Sequence, residues 1–130
     1  MPLMNEPFII PTITTNENGI SIFSEVDFSV HQRGGLFLTE QIGSKNFRIR
    51  KSDLGYATDF HLAGDATFII IQKGSLKIEL QNGDFKIFNP GDCFIAKDNL
   101  PENVDFDSEI HGHKASVVSN ESLQAIHIKL

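Results

Sequence analysis

Apolar and polar residues alternate along the stretch from Asp59 to Phe94, and this alternation sets the pattern for the whole chain. Residues 75–80 (SLKIEL) place three aliphatic side chains on one face of an extended segment and two charged side chains on the other. Period-two alternation of this kind is typical of a half-buried antiparallel strand. We therefore expect a strand here and a return strand at residues 84–88.

Two turn signals bound the return strand. The Asn82-Gly83 pair predicts a type I′ hairpin turn, because both central residues of that turn need φ > 0 and these two residue types tolerate it best. Segment 89–92 (NPGD) predicts a type II turn, with Pro90 fixing φ at the second position and Gly91 accepting φ > 0 at the third. A further strand is predicted to begin at Phe94.

The same rhythm of short apolar runs and turn residues extends over most of the chain. Residues 1–18, with three prolines, predict an extended N-terminal arm suited to a sheet edge, including that of a partner subunit. Residues 19–130 predict a single domain, in which residues 97–110 form a long acidic loop. Strands are predicted over 19–30, 36–42, 46–51, 56–62, 114–118 and 123–130. Short strands at this spacing favour an all-β sandwich or jelly-roll barrel.

Composition narrows the function classes. A chain of 130 residues with 40% apolar residues suits one domain with a sizeable core. The net charge of −6 argues against nucleic acid as a partner. The start of the chain lacks a basic segment followed by an apolar run, and no apolar run approaches the length of a membrane span. We expect a cytoplasmic protein without membrane contact, in which the single cysteine, Cys93, forms no internal disulfide.

Residues 55–74 resemble the first motif of the cupin superfamily. Gly55, His61 and Gly74 fall at that motif's spacing. Ala63 stands where the second metal-binding histidine occurs, and Thr67 stands where the glutamate ligand occurs. The glycine and proline residues of segment 83–92 match the turns that lead into the second cupin motif. The resemblance implies a cupin-type double-stranded β-helix, which is a jelly-roll barrel, with an incomplete metal motif.

The chain is more closely similar to a subgroup of small bacterial cupin-like proteins. That subgroup carries a WHPAPRRQ-type first motif, an FGPGD turn and an LAEDTTGKGH second motif. Here the corresponding segments read FHLAGDAT from Phe60, FNPGD from Phe88 and IAKD from Ile95, followed after an acidic insertion by Gly112-His113. The likeness covers nearly the whole chain and implies a homodimer. It brings no defined reaction with it.

Histidines are the main candidates for a site. In a cupin barrel, strand residues of the first motif and a histidine of a later strand point inward, and here His61 and His113 occupy those positions. A carboxylate, Asp98 or Asp59, would be needed to complete a site for Fe, Mn, Ni or Zn, with His111 as a further candidate ligand. The alternative for His61 is an imidazole bonded to Thr67, Asp59 or a backbone carbonyl. No cofactor is certain.

Other polar residues complete the predicted ligand pocket. Arg48 and Arg50 share one strand face, where a guanidinium pair would favour a carboxylate or phosphate, or would form a solvated surface. Thr67 and Asp98 are added as pocket residues. His127 is predicted to lie on the surface, because it is opposite the aliphatic stripe of the last strand. The acidic loop is either a solvated segment or a lid over the barrel mouth that carries His111 and His113.

Three hypotheses for function follow. The first is a module that binds a small molecule, an organic acid or a sugar, between His61 and His113 without a firmly held metal. The alternative is a metal-dependent cupin enzyme of the dioxygenase, isomerase or lyase type, acting on a small organic substrate through the same two histidines. The third is a structural dimer in which the N-terminal arm swaps between subunits. A cupin barrel hosts unrelated functions, so the sequence does not decide whether the protein is an enzyme.

Overall fold

The fold is built from short strands, as the alternation predicts. The structure, a computed structural model, describes residues 4–130. Within this range no helical segment has the length and apolar character needed to cross a bilayer. The strands are β1 (Phe8–Thr15), β2 (Ser21–Phe28), β3 (His31–Arg33), β4 (Leu36–Leu38), β5 (Asn46–Ser52), β6 (Thr67–Lys73), β7 (Leu76–Leu80), β8 (Phe85–Phe88), β9 (Cys93–Ala96), β10 (His113–Val117) and β11 (Leu123–Lys129).

The strands pair as a jelly roll. A six-stranded sheet has the order β2-β1-β9-β6-β11-β5, and a three-stranded sheet has the order β10-β7-β8. The β7–β8 hairpin lies at the centre of a nested antiparallel pattern, in which β6 pairs with both β9 and β11 while β7 pairs with both β8 and β10. This nesting of hairpins over two facing sheets defines a jelly roll. The predicted all-β fold is confirmed.

The hydrophobic core lies between the two sheets. Its members are residues whose side chains alternate toward the facing sheet, so they recur at every second position along each strand. Phe88 and Phe94 stack across the two sheets with ring centroids 4.2 Å apart. The core comprises Ile13, Ile69, Ile71, Leu76, Ile78, Leu80, Phe88, Phe94, Ala96, Val117, Leu123 and Ala125.

One predicted turn is confirmed and the other is wrong in type. Gly91 has φ of 93°, and the Asp92 amide donates to the Asn89 carbonyl at 2.9 Å, as a type II turn requires. At the β7–β8 turn only Gly83 has positive φ, so Asn82 does not take the type I′ conformation. Its side-chain oxygen instead accepts the Asp84 amide at 2.9 Å, which stabilises a longer loop with a single left-handed residue.

The strand predicted over residues 56–62 is reduced to two isolated bridges, Ala57 to Ser116 and His61 to His113. Between them the Ala115 amide donates to the Thr58 side-chain hydroxyl at 2.9 Å rather than to a backbone carbonyl. A threonine hydroxyl that bonds the backbone competes with the ladder of a sheet. This segment still lies along β10 and carries His61 to the position opposite His113.

The N-terminal segment joins the sheet of its own chain. Residues 8–15 of the predicted arm form β1, which lies between β2 and β9. Ile13 on this strand is fully buried and contributes to the core. The predicted arm therefore includes an internal strand of the six-stranded sheet, and the part of the arm formed by residues 1–3 lies outside the described residues.

Candidate functional site

A cavity of about 530 Å³ opens at one end of the barrel, and β5, β6, β11 and the His61 segment form its walls. A smaller cavity of about 140 Å³ continues from it into the apolar interior. Arg50, His61, His113 and His127 line both cavities, so they lie where the polar mouth meets the apolar floor. The mouth is lined by Lys45, Asn46, Arg48, Arg50, His61, Leu62, Ala63, Asp65, Thr67, Ile69, Ala96, His113, His127 and Lys129.

His61 and His113 are held together by their backbones. The amide of each donates to the carbonyl of the other, with both distances 2.9 Å. The two chains approach so closely here that a Cβ on Gly112 would lie 2.6 Å from the His61 carbonyl oxygen. Gly112 also has φ of 85°, a conformation that residues with a Cβ rarely adopt. A glycine immediately before His113 is therefore what lets the two imidazoles face one cavity.

Hydrogen bonds orient both imidazole rings, whose centroids are 4.6 Å apart. Nδ1 of His61 lies 2.9 Å from the carbonyl oxygen of Asp59, and Nδ1 of His113 lies 2.7 Å from Oδ2 of Asp98. A carbonyl and a carboxylate only accept, so each Nδ1 is the donor and carries the proton in the neutral ring. In the described chain neither Nε2 has a hydrogen-bond partner. In its neutral form each ring thus carries its free lone pair on Nε2.

Asp98 lies behind His113 rather than in the cavity. Its side chain is fully buried and accepts three hydrogen bonds, from Nδ1 of His113, from the Ser21 hydroxyl at 2.7 Å and from the Ala63 amide at 3.1 Å. A buried carboxylate needs such donors to offset the loss of water. The sequence placed Asp98 among the pocket residues. In the structure it does not line the cavity but supports two residues that do, His113 and Ala63.

Cationic side chains line the wall formed by β5 and β11. The two strands pair with His127 opposite Arg48 and Ala125 opposite Arg50, so both arginines face the same side as His127 and Lys129. Burial first, and then the positive charges of Arg50, Lys129 and Arg48, lower the pKa of His127 to about 4. Burial and the neighbouring cations thus both favour the neutral form of the His127 ring.

Thr67 and Lys45 add to this wall. Thr67 is buried, and its hydroxyl accepts a hydrogen bond from Nζ of Lys129 at 2.8 Å. Lys45 lies 4.0 Å from the carboxylate of Asp65 at the rim. The lining residues thus include one carboxylate, Asp65, and four cationic side chains, which belong to Lys45, Arg48, Arg50 and Lys129.

His111 does not join the other two histidines. It is buried within the acidic loop, where its Nδ1 accepts the Asp107 amide at 2.9 Å and its ring packs against Phe106. Gln81 fastens this loop to the β7–β8 hairpin by donating to the carbonyls of Ser108 and His111. None of residues 97–112 is among those that line the two cavities. The described structure therefore does not place the acidic loop over the cavities, and His113 reaches them from β10 rather than from this loop.

The lining residues that sequence reasoning missed include three basic ones, Lys45, His127 and Lys129. His127 is half-buried in the cavity wall, contrary to its predicted surface position. The error came from assigning the aliphatic face of β11 to the interior. At this end of the barrel the inward face is polar, and Ile126 and Ile128 point outward. The paired strand β5 shows the same reversal. Its apolar residues, Phe47 and Ile49, face outward, while Arg48 and Arg50 face the cavity.

The cupin resemblance raises the question of a metal, and the donor set does not fit one. Within residues 4–130 there is no group of three histidine, cysteine, aspartate or glutamate side chains arranged to hold an ion. Ala63 and Thr67 offer no strong ligand, His111 faces elsewhere, and the Asp98 carboxylate is bonded to the far side of the His113 ring. Two imidazoles without a third strong ligand rarely retain a transition metal.

Comparisons with known proteins bear on the fold alone. No protein-family model matches this chain, and no curated protein matches it. Solved structures with similar folds include a conserved protein of unknown function from Streptococcus pyogenes, with 13% identity over 71% of this chain and 68% of that chain and a TM-score of 0.46. A cupin domain from Bordetella pertussis Tohama I has 14% identity over 68% and 85%, with a TM-score of 0.45.

A third similar structure is the cupin domain of Cnp3 from Schizosaccharomyces pombe, with 11% identity over 96% of this chain and 88% of that chain and a TM-score of 0.45. The strand pairing described above is itself that of a jelly roll, the architecture that cupins share. The strand pairing alone therefore assigns the jelly-roll fold. Since one fold serves many chemistries, the activity of the protein must be argued from the cavity.

Proposed function

We propose that the protein binds a small organic acid in the barrel cavity, with the anionic group of the ligand held by Arg48, Arg50 and Lys129. The observation that carries this proposal is the cluster of four cationic side chains on one cavity wall of a chain whose net charge is −6. A concentration of positive charge against the overall balance favours an anionic ligand over a neutral one.

The hydrogen-bonding state of the arginines supports the same proposal. In the described part of the chain neither Arg48 nor Arg50 forms an ion pair with a carboxylate, and the contact of Arg50 is a 3.5 Å approach to Nδ1 of His127. A guanidinium fork matches the two oxygen atoms of a carboxylate or phosphate. A ligand anion would supply the partner that these side chains lack.

The inner cavity suggests what the rest of the ligand is like. Its floor is formed by side chains such as Ile69, Leu76, Ile78 and Phe94, while the histidines stand at its entrance. An apolar floor beneath a few convergent polar groups is the common form of a small-molecule site. We therefore expect an acid with a compact apolar body, bound with its charge toward the mouth.

The metal-dependent enzyme stays a weaker alternative, since it requires a third ligand that the described residues do not supply near His61 and His113.

Binding of small acids tests the proposal. Thermal-shift and calorimetric screening should find carboxylic or phosphorylated acids that stabilise the protein, while neutral sugars of similar size should not. Arg50→Gln and Arg48→Gln should each weaken binding about 10- to 100-fold, the loss expected for a hydrogen bond to a charged group. Arg33→Gln is the matched control, because Arg33 is exposed on β3 and does not line the cavity. If no acid stabilises the protein, or if the three variants behave alike, the proposal is wrong.

A further inference from the structure

Asp98 and His113 form a buried pair that anion binding alone does not explain. The side chain of Asp98 is 0% exposed and that of His113 is 5% exposed, with 2.7 Å between Oδ2 and Nδ1. The pair fixes the His113 proton on Nδ1, so Nε2 faces the cavity as an acceptor with no partner among the described residues. An imidazole held in one tautomer by a buried carboxylate is the arrangement that enzymes use for a general base.

We propose that His113 is a catalytic base that removes a proton from the carbon next to the ketone of a bound 2-oxo carboxylic acid, with Asp98 as its positioning residue. The inference rests on the proposed anion site, which would hold the carboxylate. Arg50 and His113 both line the two cavities, so an acid bound by Arg50 lies in the same cavity as the imidazole.

Removal of this proton and its return need no reactant other than the bound acid and His113. The lone pair on Nε2 of His113 takes the proton, the C–H bond breaks, and its electron pair forms a C=C bond as the carbonyl pair moves onto oxygen. The product is an enolate beside the cationic wall, where positive charge stabilises it. Return of the proton from Nε2 to the same carbon restores the ketone. In D2O the imidazolium exchanges its proton with solvent, so the carbon receives a deuteron.

The choice of a 2-oxo acid follows from the strength of the base. Imidazole is a base of moderate strength. The hydrogen next to a ketone is acidic enough for such a base, whereas the hydrogen next to a carboxylate alone is not. In a 2-oxo acid the ketone makes the neighbouring C–H acidic enough for His113, and the adjacent carboxylate can bind the cationic wall.

The first test is exchange of carbon-bound hydrogen, followed by proton NMR in D2O with 2-oxobutyrate, 2-oxoglutarate and phenylpyruvate. At least one acid should lose its signal next to the ketone faster than in buffer. His113→Gln should lower the rate at saturating acid about hundredfold, which is within the range for general-base catalysis. His31→Gln is the matched control, because His31 is an exposed histidine on β3, outside the cavity.

Asp98→Asn tests the positioning role. An asparagine that keeps its oxygen on the Ala63 amide must direct its NH2 group at Nδ1 of His113, so the ring proton moves to Nε2 and the base is lost. The exchange rate at saturation should fall at least about tenfold while the dissociation constant of the acid stays within about twofold. Asp92→Asn is the matched control and should retain the rate, because Asp92 accepts a backbone amide in the exposed turn before β9 and lines neither cavity.

Two-bond proton–nitrogen NMR spectra of the wild type measure the tautomer directly. They should show the His113 proton on Nδ1, and a proton on Nε2 would overturn the inference without any variant. Acids that bind at the cavity but exchange no faster than with His113→Gln would also overturn it while leaving the proposed binding function intact. Failure of every acid to bind would overturn both.

Discussion

His61 and His113 are joined by two backbone hydrogen bonds, from the amide of each to the carbonyl of the other, both 2.9 Å long. The relative placement of the two imidazoles is therefore set by the main chain, and each ring is then turned by its own partner, the Asp59 carbonyl or the Asp98 carboxylate. A change of either ring should leave this frame in place. A change at Gly112, where the two chains meet, should not.

Gly112→Ala should destabilise the protein by more than about 2 kcal/mol, because the new Cβ would meet the His61 backbone and would also force an alanine into a left-handed conformation. Gly55→Ala is the matched control. Gly55 has a similar φ of 75°, but a Cβ there would meet nothing within 4 Å, so only the backbone cost of about 1 kcal/mol is expected. Urea denaturation of the two variants measures the difference, and equal losses would contradict the close approach.

His127 should make stability depend on pH. Its pKa is lowered from 6.5 to about 4 in the folded protein, so between these values the unfolded chain binds a proton that the folded protein does not. Stability should therefore fall as pH decreases through this window. His127→Gln should remove about 1–2 kcal/mol of that fall, allowing for solvent screening at a half-buried site. Denaturation curves of both proteins at neutral pH and near pH 4.5 give the comparison.

A bound anion should raise the pKa of His127, which burial and the neighbouring cations lower. Negative charge beside His127 would favour its protonated form and raise its pKa from about 4. NMR titration of the His127 ring with and without a bound acid would measure the change. A pKa that is the same in both titrations would place the anion away from the wall formed by β5 and β11.

The sequence could predict the turns and the strands that local chemistry determines, but not which face of a strand points inward. Pro90 and Gly91 determine their turn through their own backbone preferences, and the structure agrees. Asn82 tolerates several loops, and the loop observed is stabilised by the hydrogen bond from the Asp84 amide to its side chain. For β11 the alternation separated His127 from Ile126 and Ile128, yet both faces were plausible interiors. Only the register with β5 places the arginines and His127 on one wall.

In the candidate site, too, some residues could be identified from the sequence and others only from the fold. His61 and His113 could be singled out through a motif, and they do face one cavity. The role of Asp98 could not be read from spacing, because it depends on Ser21 and Ala63, which are distant in sequence and meet the carboxylate only in the fold. That the cavity residues bind a ligand stays a prediction, as does cytoplasmic location.

Metal content should distinguish the two leading functions. Elemental analysis of the purified, untagged protein should find well below one Fe, Mn, Ni or Zn per chain, because His61 and His113 lack a third strong ligand. Added Zn²⁺ should bind weakly, and His61→Ala and His113→Ala should each abolish that binding. Near-stoichiometric metal in the wild type that falls in both variants would favour the metal-dependent enzyme and justify oxygen-consumption assays.

The outer face of the six-stranded sheet is the surface on which the predicted homodimer would form. Phe47 and Ile49 on β5 are 69% and 62% exposed, and their neighbours on this face are also apolar. Exposed apolar surface of this kind favours association with a second copy. Ile49→Glu should convert a dimer to a monomer in analytical ultracentrifugation. Leu54→Glu is the matched control, since Leu54 is 60% exposed but lies in the loop after β5. A wild-type monomer, or a dimer that survives Ile49→Glu, would show that this face does not form the dimer.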